Sequence, residues 1–141
     1  MSGHGKARTE LSKRNKYYIS KHRRLELIHF CLQYPEWERS YHALEYPVSS
    51  IQDRDGPTPE QEFLDPTGNA AVARAMLADK MRIVWQASME ADKEIGSYIF
   101  KAVTEGLSFI NLKTKTGIPC EKDMFYDRYH KFFWVLSRMK S

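Results

Sequence analysis

Gly106 and Gly117 divide the stretch from Glu94 to Leu136 into three pieces, and that division constrains the fold more than any other feature of the chain. Ahead of the first glycine, Ile95, Tyr98, Ile99, Ala102 and Val103 recur at i, i+3, i+4, i+7 and i+8, which lays one apolar stripe along a helix. Gly106 falls where a helix ends in a left-handed residue, a conformation that glycine adopts without steric cost. Ser108 is placed to cap a short second helix carrying Phe109 and Leu112, and Gly117 ends that helix. Ile118 tucks back inside, and Pro119 suits an extended turn or a new helix start. The final helix puts Phe125, Tyr129, Phe132 and Leu136 on one face. A short helix, a glycine turn and a longer helix make the outline of a helix-turn-helix.

The rest of the chain reads as helical too. Residues 1–16 are polar and basic, a disordered arm, and residues 17–141 form a single helical domain. Leu25, Ile28 and Leu32 keep a helical period, with Lys21, Arg23, Arg24 and Glu26 on other faces, which predicts a helix from about Lys21 to Gln33. Pro35 interrupts it, and a second piece over residues 36–44 turns Trp37, Tyr41 and Leu44 inward. Residues 45–66 hold four of the six prolines and form a connector, in which Thr58 suits the cap of a single turn. Asp65 caps the next helix and Pro66 takes its first position. That long helix runs to about Ala91 with Ala73, Leu77, Met81, Val84, Ser88 and Ala91 as its stripe, flanked by Val72, Met76 and Ala87. Its small residues permit close approach of a neighbour, and Asp92 both breaks it and caps the helix that starts near Lys93. The fold class is therefore all-α: a helical bundle with a C-terminal helix-turn-helix-like unit over residues 93–138.

Charge is distributed unevenly along this framework. Residues 1–24 carry eight Lys and Arg against one acid, residues 25–95 six against thirteen, and residues 96–141 eight against four. Basic ends around an acidic middle are the electrostatic pattern of a phosphate binder, and equally of a solvated tail with ordinary surface lysines. No apolar run approaches the roughly 20 residues that span a bilayer, and the polar N-terminus is no secretory signal, so a cytoplasmic protein is expected. Cys31 and Cys120 are far apart in sequence and lack metal or redox spacing, so both read as buried thiols, with Cys120 at a helix start where a thiol pKa can be lowered.

Candidate chemistry follows from the last helix. Lys122, Tyr126, His130 and Lys131 occupy the face opposite its apolar stripe, where they would meet a DNA groove. Lys113 and Lys115, with the helix N-termini, would hold phosphates, and Arg128 reads as a phosphate contact or a surface ion pair. Lys13, Arg14 and Lys16 of the arm would reach further phosphates. Glu121, Asp123 and Asp127 share the last helix and oppose phosphate approach unless they accept from a cytosine amine. The dense aromatics Phe133 and Trp134 either form an exposed surface for a partner or a homodimer, or pack under Tyr17 and Tyr18, the preferred reading. The five histidines are scattered, and no phosphate loop, metalloprotease motif or nucleophile elbow is present, so no enzyme, metal or cofactor is expected.

The run Gly106-Leu107-Ser108-Phe109, with Leu112 and Gly117-Ile118, resembles the helix-turn-helix of the promoter-reading domain of sigma factors. It is also similar to small phage and prophage regulators of the ArpU and RinA type. Residues 94–137, with the blocks at residues 16–41 and 65–75, resemble uncharacterised proteins of prophages and mobile elements in Gram-positive, clostridia-like bacteria. Lys113 stands where the sigma-like motif has a small residue, and Thr116 where it has an apolar one. The resemblance implies a phage-type gene with a regulatory role in a bacterial host. It leads to one expectation, a helix-turn-helix protein that binds double-stranded DNA as a transcriptional regulator. The alternatives are a protein-binding adaptor or inhibitor of a host nucleic-acid enzyme such as a defence nuclease, and a small DNA-recognition subunit of a packaging terminase.

Overall fold

The computed structural model describes residues 11–45 and 66–141, and it is all-helical. Six helices follow in order among the described residues: α1 Lys21–Leu32, α2 Tyr34–Glu45, α3 Pro66–Ala91, α4 Gly96–Glu105, α5 Phe109–Thr116 and α6 Lys122–Met139. The first ten residues of the expected arm, the connector and the expected caps at Thr58 and Asp65 lie outside the described residues. The helices form two compact units, one from Met1–Gln33 with Ile83–Ser141, the other Tyr34–Arg82.

In the larger unit, α1 starts where the Ser20 hydroxyl accepts from the Arg23 amide at 3.2 Å. Its buried residues are Arg24, Leu27, Phe30 and Cys31, whereas Leu25 and Leu32 are exposed. The expected stripe is thus one register away from the real one. Leu25-Ile28-Leu32 and Arg24-Leu27-Cys31 share the same spacing, and the aliphatic stem of Arg24 lets it stand in the apolar row. Arg23 joins the helix to the far end of α6: its Nε donates to Ser137 Oγ and one Nη to Ser137 O, each at 3.0 Å. A second bond from that same nitrogen reaches Lys140 O at 2.5 Å, so a cation satisfies carbonyls at a helix C-terminus.

The end of α3 and the start of α4 meet closely. Val84, Ala87, Ser88 and Ala91 are buried, and Ser88 Oγ donates to Val84 O at 3.0 Å. A Cβ on Gly96 would lie 2.7 Å from Ser88 O, so no larger residue fits there without displacing backbone. Asp92 makes the corner: its Oδ1 accepts from the amides of Glu94 at 2.8 Å and Ile95 at 2.9 Å, and helical geometry resumes at Gly96. The core beside this corner is aromatic, with Phe125, Phe132 and Phe133 buried together with Leu112, Ile118 and Leu136. Phe132 and Phe133 meet edge to face at 4.9 Å, a geometry that aligns ring edges with ring faces.

The smaller unit begins at Tyr34, just past the end of α1, and Pro35 occupies the first turn of α2, where its missing donor costs nothing. Trp37 is its buried anchor, with Tyr34 6.0 Å away and Lys80 Nζ 5.8 Å above its ring. Arg74 lies 4.4 Å over the ring of Tyr41, so cation–ring contacts join α2 to α3. Helix α3 starts at Pro66 as expected, but Val72 and Met76, expected beside its apolar stripe, are exposed.

Candidate nucleic-acid interface

Helices α4, α5 and α6 follow the expected division into three pieces, and the bends between them form an elbow. Gly106 and Gly117 both adopt the left-handed conformation, at φ 71° and 68°, and each ends its helix with an amide donated back to a carbonyl of the last turn. Ser108 caps α5, its hydroxyl accepting from the Asn111 amide at 3.3 Å. The connection from α5 to α6 is residues 117–121, and Phe125 is the first residue of α6 to face fully inward.

The candidate contacts at this elbow are drawn into internal bonds. Lys113 Nζ donates to Ile118 O at 3.2 Å, bracing the turn. Lys115 Nζ donates to Glu105 at 3.1 Å, and Lys101 joins the same carboxylate at 2.8 Å. Those two lysines, Lys101 first, hold the Glu105 carboxyl below its usual range. Tyr126 Oη accepts from the Phe109 amide at 3.2 Å, an unpaired donor at the start of α5. Arg128 proves to be an ion pair: its Nε donates to Asp92 at 3.0 Å, and it also meets Asp127. Partial burial pushes the Asp92 carboxyl up, but the Ile95 amide, Arg128 and the Glu94 amide together hold it below its ordinary value. The same pair raises the Arg128 guanidinium.

His130 requires a correction, because it is buried rather than presented on the outer face. Residues 11–16, assigned from sequence to the disordered arm, form a hydrogen-bonded turn with Tyr17 and Tyr18. Asn15 N donates to Ser12 O and Tyr18 N to Asn15 O, both at 3.0 Å, and Asn15 Oδ1 accepts from Tyr17 N at 2.8 Å. Leu11, Asn15 and Tyr17 of this turn share a cavity of about 230 Å³ with Lys122, Tyr126 and His130, so the turn lies over the expected reading face. The solvent side of α6 near its start carries Asp123 and Asp127 instead.

The same turn creates a different cationic edge. Tyr17 meets Trp134 with ring centroids 5.6 Å apart, the packing preferred from sequence. Lys16 Nζ stands 5.1 Å from the Tyr17 ring, and Arg138 Cζ 4.6 Å from the Trp134 ring. A line of cation, ring, ring and cation results, with Lys13 and Arg14 exposed beside it and Lys131 half-buried on α6. Arg138 was not among the sequence candidates, although Trp134 and Arg138 at i and i+4 signal the contact.

Neither thiol is activated. Burial raises Cys31 far above its usual value, and it also raises Cys120, which is half-buried, despite the nearby Lys113. Burial likewise pushes the Tyr129 hydroxyl up to about 12. Among the described residues no three His, Cys, Asp or Glu side chains converge to hold a metal, and no helix is long and apolar enough to cross a membrane. Compared with protein-family models, curated proteins and solved structures, the chain matches none.

Proposed function

We propose that this chain binds double-stranded DNA, as a regulator of the phage type its sequence resembles, and that it grips the duplex mainly by phosphates. The single observation that carries this reading is the Lys16–Tyr17–Trp134–Arg138 line with exposed Lys13 and Arg14 beside it. Cations stacked on rings keep their charge toward solvent while losing side-chain freedom, which lowers the entropy cost of meeting a phosphate. The first turns of α6 play a supporting part here, since the N-terminal turn covers Tyr126 and His130. The test is binding to a mixed-sequence duplex at low and at physiological salt, with the mass in solution recorded alongside. Affinity that falls steeply with salt supports the reading. A folded protein that does not bind at low salt sinks it.

A second reading, a protein-binding adaptor or inhibitor, is favoured by one feature of the smaller unit. Val72 and Met76, one turn apart on α3, are 60% and 59% exposed, and an apolar pair of this kind is what a partner helix covers. Under that reading Val72→Asp abolishes the biological effect while duplex binding is unchanged.

A further inference from the structure

We propose that the cavity between the N-terminal turn and the start of α6 binds a free α-amino acid of about the size of valine, held by both of its charges. Leu11 and Asn15 of the turn share this space of about 230 Å³ with Lys122, Asp123, Tyr126 and Asp127 of α6. At roughly 30 Å³ for each water molecule it has room for about eight non-hydrogen atoms, the number in valine. Two of the polar groups are already committed to the fold: Tyr126 Oη accepts from the Phe109 amide, and Asp127 bonds Arg128. Tyr17 and His130 complete the wall and have partners of their own, so no contact is assigned to them. The rest are open. Among the described residues, neither the Lys122 ammonium nor the Asp123 carboxylate has a hydrogen bond or ion pair, even with the other. Asn15 spends its side-chain oxygen on the Tyr17 amide, and its Nδ2 hydrogens have no acceptor among the same residues.

A lone cation or carboxylate facing open water is ordinary surface. Here Lys122 is half-buried, and it lines one small space with Asp123 under the turn that folds over both. Opposite charges that share a space without touching are complementary to a ligand that carries both. The carboxylate of an α-amino acid accepts from Lys122 Nζ and Asn15 Nδ2, and its ammonium donates to Asp123. Such charge-assisted bonds are about twice as strong as neutral ones. Half-buried Leu11 supplies an apolar wall for an aliphatic side chain. A simple anion would meet Asp123 and a simple amine would meet Lys122, each with a repulsion that the zwitterion avoids. The site uses none of Lys13, Arg14, Lys16 and Arg138, so it does not depend on the DNA reading.

The test is titration of the full chain with L-valine and with its isostere L-threonine, followed by NMR chemical shifts, which reach millimolar affinities. At least one should bind saturably and shift the signals of Asn15 and Asp123. Isobutylamine keeps the body of valine and its amine, and 3-methylbutanoate keeps the body and the carboxylate. Each should bind at least about tenfold more weakly than valine. Two near-isosteric variants divide the contacts, with the melting temperature recorded for each. Lys122→Gln should weaken amino-acid binding about fivefold to tenfold without weakening isobutylamine, and Asp123→Asn should do the same without weakening 3-methylbutanoate. Duplex binding by Asp123→Asn should match that of the wild type, so a failure here is distinct from a failure of the DNA reading. Absence of binding by both amino acids at millimolar concentration overturns the proposal. So does equal binding of either single-charge analogue, or amino-acid binding that is unchanged in both variants.

Discussion

Two basic regions of the larger unit differ in what their charges do. At the elbow of α4, α5 and α6, Lys113 braces a turn carbonyl, Lys115 shares Glu105 with Lys101, and Arg128 holds Asp92. Along the edge made by the N-terminal turn and α6, Lys16 and Arg138 lie over rings, and Lys13 and Arg14 are exposed. Both regions look alike when cations are counted. A cation bonded to a carbonyl or carboxylate has committed part of its donor set to the fold, while one stacked on a ring retains all of it. The position of a lysine within a motif is therefore a weaker guide to ligand contact than what its ammonium touches.

The sharpest way to break this distinction is to attack the elbow where it is purely structural. Leu112→Ala removes a fully buried side chain at the α5–α6 corner and should cost about 2–5 kcal/mol of stability in denaturant unfolding. The folded fraction should still bind duplex DNA. Loss of binding by folded Leu112→Ala would show that the elbow meets the ligand. Next in size, alanine at Lys13, Arg14 and Lys16 together should weaken duplex binding on the order of a hundredfold at 0.1 M salt, read by fluorescence anisotropy, with the melting temperature unchanged.

A smaller effect tests the corner that the elbow hangs from. Asp92→Ala removes two hydrogen bonds of the turn and an ion pair and should cost about 1–2 kcal/mol at neutral pH. The Asp92 carboxyl is held below its ordinary value, so its contribution is full above the unfolded value and is lost as pH falls through the folded one. The wild type should therefore lose melting temperature more steeply below about pH 4 than Asp92→Asn, which keeps the acceptor but not the charge. Smallest of all, Lys115→Ala should change stability by no more than about 1 kcal/mol, since its pair with Glu105 is at the surface, and should leave duplex affinity within about twofold.

Much of the elbow was legible because each of its signals is local. Gly106 and Gly117 mark helix ends, Ser108 marks a start, and Leu112, Ile118, Phe125, Phe132 and Leu136 fall on the buried side that their spacing predicts. The start of α3 at Pro66 and the contact of Trp134 with Tyr17 were legible for similar reasons. What escaped depends on contacts distant in sequence. Arg24 and not Leu25 faces inward because α1 has two rows of equal period, and only its neighbours choose between them. His130 is buried because residues 11–16, polar enough to read as an arm, are tied by Asn15 and anchored through Tyr17. Arg128 finds Asp92 across 36 positions of sequence, a pairing no spacing rule reaches.

If the edge, and not the elbow, carries the charges that meet DNA, removing charge from the two regions has different consequences. The most direct measurement is the salt dependence of duplex binding for the wild type, for alanine at Lys13, Arg14 and Lys16, and for alanine at Lys113 and Lys115. Each lost phosphate contact lowers the slope of log affinity against log salt by about 0.9. The slope should fall by about 2.7 for the edge variant and hardly at all for the elbow variant. A flattened slope in the elbow variant with an unchanged one in the edge variant would contradict it.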